Sequence, residues 1–179
     1  MRYFLDTEFI EDGKTIDLIS LAIVAEDGRE FYAESEECDL SKASEWVREN
    51  VVPHLWSRKK DHREHNAWSR DGGSGGLMDR VSIARGVRLF CDQDTHGKPE
   101  FWGYYADYDW VALCQLWGTM MDLPKGFPMF CMDLKQLCVM RGNPRLPKME
   151  HGEHNALADA RWNRDMHAML TSVAVELPL

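Results

Sequence analysis

The sequence lacks several features that would assign it to a common class of protein. None of its 179 residues belongs to an apolar run long enough to cross a membrane. The opening residues, MRYFLDTEFIEDGK, carry acids where a signal peptide needs an apolar stretch. The five cysteines form no C-x-x-C pair. We therefore expect reduced thiols in a cytoplasmic protein rather than a disulfide framework.

Positive charge is also scarce, because 21 Lys and Arg residues face 30 Asp and Glu residues and the formal net charge is −9. Proteins that bind nucleic acid through the phosphate backbone normally present a basic face. A cluster of four acids that holds two divalent cations is locally neutral, however. The acidity therefore weakens a general nucleic-acid-binding hypothesis but not that of a metal-dependent nuclease.

The chain shows no internal repeat and no sign of a second domain, so we predict a single domain over residues 1–179. Three strand-like segments in a meander precede strands that alternate with helices, which indicates an α/β domain with a mixed sheet. Residues 57–80 are charged and then glycine-rich, and this composition predicts a mobile insertion. Helices are predicted over 41–52 with Ser41 as N-cap, after Asp107 as N-cap, and after Asn155 as N-cap.

The segment YFLDTEFI places two acids in an apolar strand. Because strand side chains alternate, Asp6 and Glu8 share one face while Thr7 and Phe9 share the other. Two adjacent carboxylates repel, and at least one stays protonated unless a cation lies between them. An edge strand with a solvated acidic face is the alternative.

More acids occur near two predicted helix starts. GYYADYDWVAL contains Asp107 and Asp109, and EHNALADA contains His154 and Asp159. If Asn155 caps the last helix, His154 lies in the preceding loop, and His154 and Asp159 can approach one point. Asp159 also gains from the positive end of the helix dipole, although a solvent-facing helix start would show the same pattern.

Taken in order, these residues resemble the three exonuclease motifs of the DEDD superfamily. The motifs are DTEF, the G-x5-D-x3-L of Gly103, Asp109 and Leu113, and the H-x4-D of His154 and Asp159. The histidine in the third motif is typical of the DEDDh branch. The opening segment further resembles RNase AS, a small group of exoribonucleases related to RNase T and oligoribonuclease. The resemblance implies an RNase H-like mixed β-sheet, an antiparallel meander plus parallel strands, flanked by helices.

The second motif departs from the family pattern at two positions. Tyr105 stands where the family has asparagine, and Asp107 competes with Asp109. The register on Gly103 and Leu113 favours Asp109. The resemblance then implies a catalytic set of His154 with the four metal ligands Asp6, Glu8, Asp109 and Asp159.

The resemblance implies two-metal phosphodiester hydrolysis, and hard oxygen ligands suit two Mg²⁺ or Mn²⁺ ions per site. Asp6 is expected to bridge both ions, Glu8 and Asp159 to join it at the nucleophile-side ion, and Asp109 to reach the second ion through water. His154 is expected to take the proton of the attacking water. Nucleoside 5′-monophosphates would leave from single-stranded RNA 3′ ends, with adenylate-rich ends preferred, and the active species would be a homodimer.

The predicted substrate-binding residues are Thr7 and Phe9 beside the terminal nucleotide, Tyr105, and Arg145 in a basic loop. That loop could equally be an ordinary solvated connector. Two other functions remain open on the same residues. One is a DEDDh exonuclease acting on DNA, and the other is a catalytically silent nucleic-acid-binding module.

Overall fold

A computed structural model describes residues 1–58, 76–149 and 154–172. The strands are β1 (Arg2–Glu11), β2 (Ile16–Ala25), β3 (Glu30–Ser35), β4 (Leu77–Met78), β5 (Glu100–Gly103) and β6 (Met132–Asp133). The α-helices are α1 (Glu45–Asn50), α2 (Arg80–Phe90), α3 (Gln93–His96), α4 (Asp107–Cys114), α5 (Leu134–Met140) and α6 (Ala156–Ser172). Short 3-10 turns cover Leu40–Lys42, Val52–His54, Trp56–Arg58 and Met120–Asp122.

The six strands form one mixed sheet in the order β4-β3-β2-β1-β5-β6. β1, β2 and β3 make the antiparallel meander, while β5 runs parallel to β1 and β6 parallel to β5. The predicted α/β fold, a mixed sheet with an antiparallel meander and parallel strands flanked by helices, is confirmed. Of the predicted insertion at 57–80, residues 59–75 lie outside the described part of the chain.

Helices cover both faces of the sheet, and the alternation of apolar side chains along β1 explains this arrangement. Tyr3 and Leu5 pack against α2 and α4, in a core that includes Leu113. Phe4 faces the other way, into a core with α5 and α6 that includes Met166. Since α4 and α6 lie on opposite faces of β1, polar residues further along this strand can meet both helices.

The pairing of β1 with β2 shifts by one residue between Glu8 and Phe9, where Ile19 is the additional residue on β2. Such bulges bend the paired strands, and they are frequent beside active sites. The bend lies at the end of β1, next to the predicted acids.

Two predicted helix caps are wrong. The hydroxyl and backbone N–H of Ser41 both donate to Asp39, in the 3-10 turn, and Ser44 caps α1 instead by accepting from the Val47 N–H at 3.2 Å. Asp107 is the first residue of α4 rather than its cap. Ala106 takes the cap position without a side-chain cap bond, and its N–H donates to the Asp133 carboxylate at 2.9 Å.

The predicted cap of α6 is confirmed. The side-chain oxygen of Asn155 accepts from the Ala158 N–H at 3.2 Å. The Asn155 amide also donates to the His54 carbonyl at 3.3 Å, which joins the start of α6 to the Val52–His54 turn. Within the described residues, no helix is long and apolar enough to cross a membrane.

Candidate active site

Three acids meet at the end of β1. Asp6 and Glu8 come from the strand and Asp159 from the first turn of α6, and one carboxylate oxygen of each lies within 4.8 Å of the others. Asp159 follows Glu8 by 151 residues in the sequence, and the packing of α6 on β1 brings it to the two strand acids. We call these three residues the acid cluster.

The fourth predicted acid, Asp109, approaches β1 from the other face of the sheet. One of its carboxylate oxygens accepts from the Thr7 backbone N–H at 2.9 Å and from the Thr7 hydroxyl at 2.6 Å. The Asp109 side chain is only 7% exposed, whereas Asp107 is exposed to solvent. Of the two candidates in the second motif, Asp109 is therefore the one that lies against the strand of the acid cluster.

His154 is the last residue before the cap of α6, and its backbone φ is 64°. This left-handed conformation is uncommon outside glycine, although histidine is among the residues that adopt it more often. The His154 ring contacts the edge of Trp46 from α1, with centroids 4.6 Å apart and planes at 80°. His154 lines the same cleft as the acid cluster, on the side where α1 lies.

The carboxyl groups of this site lie close together and are largely buried, and both effects change their pKa values. Burial raises the pKa of Asp6 well above its usual range, and the carboxylates of Asp109, Asp159 and Glu8 raise it further. Burial, followed by repulsion from Asp159 and Asp109, raises the pKa of Glu8 to about 8. Burial also raises the pKa of Asp109 to about 6, although its two hydrogen bonds from Thr7 oppose this shift.

This donor set fits a divalent cation. Three carboxylates that lie within 4.8 Å of one another repel when ionised, and a cation between them would remove the repulsion. Carboxylate oxygens are the ligands that Mg²⁺ and Mn²⁺ prefer. Asp6, Glu8 and Asp159 would hold one ion, and Asp109 is the nearest further acid that could contribute to a second.

The acid cluster opens into a cleft of about 750 Å³. Its walls combine acidic, aromatic and basic side chains, and besides the acids and His154 they include Thr7, Phe9, Lys42, Trp46, Tyr104 and Tyr105. A cleft of this size holds a nucleotide-sized ligand.

Of the predicted substrate contacts, Thr7, Phe9 and Tyr105 line this cleft. The Phe9 ring stacks on Tyr108 of α4, with centroids 5.8 Å apart and planes 14° apart, and Tyr105 is 62% exposed. Thr7 is buried, and its hydroxyl is engaged by Asp109. Arg145 is exposed, in the loop before α6, and is outside the described residues that line the cleft.

Sequence reasoning missed Lys42 and Trp46 as cleft residues. A tryptophan on an amphipathic helix usually packs into the core, yet Trp46, which lies on the helix predicted over 41–52, is 52% exposed. The short α1 has no fully buried residue, so its tryptophan remains at the cleft wall. The sequence did contain one signal, since Lys42 and Trp46 lie four residues apart on the same predicted helix.

Comparison with known proteins places this chain in the 3′–5′ exonuclease superfamily, as the motifs predicted. More narrowly, residues 1–171 match the model of the Rv2179c-like 3′-5′ exoribonuclease domain. The chain belongs to this family.

Two curated relatives come from Mycobacterium tuberculosis. They are the 3′-5′ exoribonuclease MT2234.1 of strain CDC 1551 / Oshkosh and the 3′-5′ exoribonuclease Rv2179c of strain ATCC 25618 / H37Rv. Each is 43% identical to this chain over 172 residues, which cover 96% of this chain and 94% of the relative. Among solved structures, the Neurospora crassa Pan2 catalytic unit matches with a TM-score of 0.47 and 13% identity, over 96% of this chain and 27% of that chain.

Proposed function

We propose that this protein is a metal-dependent 3′→5′ exoribonuclease that releases nucleoside 5′-monophosphates from the 3′ ends of single-stranded RNA. The observation that carries the proposal is the acid cluster, in which Asp6, Glu8 and Asp159 offer carboxylate oxygens within 4.8 Å of one another. RNA as the substrate is supported by the two curated relatives, both of which are named 3′-5′ exoribonucleases at 43% identity.

Asp6, Glu8 and Asp159 would hold a Mg²⁺ or Mn²⁺ ion, and Asp109 would help to hold a second. Two such ions supply an activated water molecule and stabilise charge on the leaving 3′-oxygen. Asp6 would contribute to both ions, because it interacts electrostatically with Asp109 as well as with Asp159 and Glu8. Thr7 keeps one oxygen of Asp109 occupied and thereby fixes the direction of the other.

His154 would accept the proton of the attacking water through a free imidazole nitrogen. Its ring is held against the edge of Trp46 at the rim of the cleft.

Aromatic side chains in the cleft would stack on the terminal bases, which suits recognition of single strands. Phe9 and Tyr105 are the predicted stacking residues, and Trp46 of α1, which lines the same cleft, would join them. Lys42 would contact an RNA phosphate group near the cleft. Arg145 would contact a phosphate group further along the RNA. A preference for adenylate-rich ends belongs to the same proposal.

A homodimer is also part of the proposal. Several large apolar side chains between α4 and β6 are exposed, among them Met121 at 78% and Phe130 at 61%. A monomer usually buries such groups or uses them in an interface.

The test is digestion of a 5′-labelled single-stranded RNA with Mg²⁺ or Mn²⁺, compared with EDTA. We expect a ladder that shortens from the 3′ end, nucleoside 5′-monophosphate as product, and slower loss of a DNA oligomer of the same sequence. Asp159→Asn should lower the rate by roughly 100-fold or more, at or beyond the upper end of the losses that follow removal of a residue supporting a metal ligand. Asp165→Asn is the matched control, because Asp165 lies on the same helix, is exposed and pairs with Arg164 at 2.9 Å.

Each alternative function predicts a different result in that assay. Faster loss of DNA than of RNA would assign the site to DNA trimming. Binding of RNA without metal-dependent shortening of any single-stranded end would favour a catalytically silent binding module.

A further inference from the structure

Strand β1 has an open edge where β5 leaves it. β5 pairs with β1 only at Arg2, Tyr3 and Phe4, since β5 ends at Gly103. Beyond the last pair, no strand among the described residues partners the Leu5 carbonyl or the Thr7 N–H on this edge. Buried backbone groups of this kind need partners from elsewhere.

Two side chains from opposite faces of the sheet supply these partners. Asn163 of α6 donates its side-chain amide to the Leu5 carbonyl at 3.0 Å. Asp109 of α4 accepts from the Thr7 N–H at 2.9 Å. The role of Asp109 is already part of the proposed site, whereas Asn163 belongs to none of the sequence motifs.

Asn163 lies close to the acid cluster along both chain segments that it connects. It follows Asp159 by four residues, about one helical turn, so the two side chains lie on the same side of α6. Leu5, its partner, directly precedes Asp6. The hydrogen bond between Asn163 and Leu5 therefore links the helix that carries Asp159 to the strand that carries Asp6.

Two other directional contacts of α6, the pair of bonds from Arg161 to Glu30 of β3 and the bond from the Trp162 indole to the Pro147 carbonyl, do not reach β1. Next to Asn163, α6 contacts β1 through apolar and aromatic side chains, which have little directional preference. Met166 and Leu170 pack on Phe4 and Trp102. Asn163 is 1% exposed, in a position where an apolar side chain would avoid the cost of burying an amide. A directional bond at this point fixes the rotation and height of α6 relative to β1, which apolar packing alone leaves less restricted.

We propose that Asn163 is a positioning residue that sets the separation of Asp159 from Asp6 and Glu8, and hence the affinity of the acid cluster for a divalent cation. This inference rests on the metal site of the proposed function. Asn163 contacts neither the cation nor the RNA in this account and acts through the placement of α6.

The experiment measures Mn²⁺ binding by isothermal titration calorimetry on the purified full-length protein. Asn163→Leu and Asn163→Ala both remove the amide donor, with different volumes, so either variant decides the question if the other fails to fold. Each should bind Mn²⁺ about tenfold more weakly, as is typical when a residue that supports metal ligands is lost. Asn163→Gln keeps a donor and should recover part of the affinity.

Met166→Ala is the matched control. Met166 is fully buried three residues further along α6 and packs on the same sheet face, but it makes no polar contact with the β1 edge. We expect this variant to lose stability while binding Mn²⁺ within twofold of the wild type. In RNA digestion, the Asn163 variants should lower kcat and leave KM for RNA within about twofold.

Wild-type Mn²⁺ affinity in the folded Leu or Ala variant, or an equal loss in Met166→Ala, would overturn the role of Asn163. Failure of the proposed function would give different binding results. In that case the wild-type protein binds no Mn²⁺, or Asp159→Asn binds it as tightly as the wild type.

Discussion

Glu8 shows how the acid cluster affects stability at the scale of one residue. Its pKa is raised to about 8 by burial and by the neighbouring carboxylates, so the metal-free fold favours the protonated form. For an acid whose pKa is raised in the folded protein, the preference for the protonated form contributes to the free energy of unfolding. This contribution is complete below the unfolded pKa of about 4.3 and is lost as pH rises through the folded pKa. The metal-free protein should therefore lose stability between about pH 4 and about pH 8.

Glu8→Gln tests this effect, because glutamine has a similar shape and cannot ionise. Without metal, the variant should unfold at a higher temperature than the wild type at pH 8.5 and at nearly the same temperature at pH 4.5. One kcal/mol corresponds to roughly 2–4 °C in a chain of this size. Thermal unfolding in EDTA across this pH range measures the difference, and a pH-independent difference would contradict the account.

Thr7 is the residue that we expect to hold Asp109 in place. Thr7→Val keeps the backbone N–H but removes the hydroxyl bond of 2.6 Å to the carboxylate. Since that bond lowers the pKa of Asp109, its loss should raise the pKa further. We expect about 1–3 kcal/mol lower stability of the metal-free protein at pH 8 and a smaller loss at pH 5.

Thr95→Val is the control for this change. Like Thr7, Thr95 donates both its backbone N–H and its hydroxyl to one aspartate, and the hydroxyl bond to Asp92 is also 2.6 Å long. These bonds lie at the exposed cap of α3. Thr95→Val should leave metal-dependent RNA digestion unchanged, whereas Thr7→Val should slow it. Chemical denaturation at the two pH values and initial digestion rates measure both effects, and equal behaviour of the two variants would argue against a special role for Thr7.

At the scale of elements, the turn from β5 into α4 depends on a glycine. A side-chain carbon at Gly103 would lie 2.7 Å from the Cβ of Ala106, which is too close for real carbon atoms. Ala106 is the N-cap of α4, and Asp109 follows it by one turn. The glycine of the second motif thus permits the close approach that directs Asp109 toward β1.

Gly103→Ala should cost about 1–3 kcal/mol of stability, as overpacked sites do. It should also lower the RNA digestion rate of the folded protein by displacing α4. Gly86→Ala is the control, because its added carbon would meet the Phe31 ring at 2.7 Å, away from the acid cluster. We expect Gly86→Ala to lose stability but keep its rate per folded molecule, as judged by denaturation and digestion of the same samples.

Two elements show what local sequence patterns cannot decide. The predicted helix over 41–52 begins at Glu45, because Asp39 engages Ser41 in a separate turn and Ser44 becomes the cap. Nothing in the local pattern ranks one serine over the other. The shift in pairing opposite Glu8 arises from how β1 and β2 fit together, and a single strand carries no signal for it.

At the scale of the whole molecule, most of the site could be predicted because each acid lies in a motif with its own local pattern. Strand alternation placed Asp6 and Glu8 together on one face, and the Asn155 cap put Asp159 in the first turn of α6. Asn163 could not be found this way. Its partner, Leu5, is 158 residues away in the sequence, and only the packed fold brings the two together.

The assembly is a further property of the whole molecule. Phe130→Asp should shift the expected homodimer toward monomer, because it places a charge on an exposed apolar surface. Val81→Asp is the control, since Val81 is 77% exposed on α2, elsewhere in the chain. Sedimentation velocity over a concentration series distinguishes the two, and a wild-type protein that stays monomeric would contradict the dimer proposal.

The central claim is that the acid cluster holds divalent cations beside a nucleotide. The most direct measurement is a crystal structure of the protein soaked with Mn²⁺ and a nucleoside 5′-monophosphate, with manganese located by anomalous scattering. The account predicts manganese coordinated by Asp6, Glu8 and Asp159, with Asp109 rather than Asp107 facing the ions and the base against Phe9. A nucleotide bound in the cleft without manganese at the acid cluster, or manganese held by other residues, would contradict it.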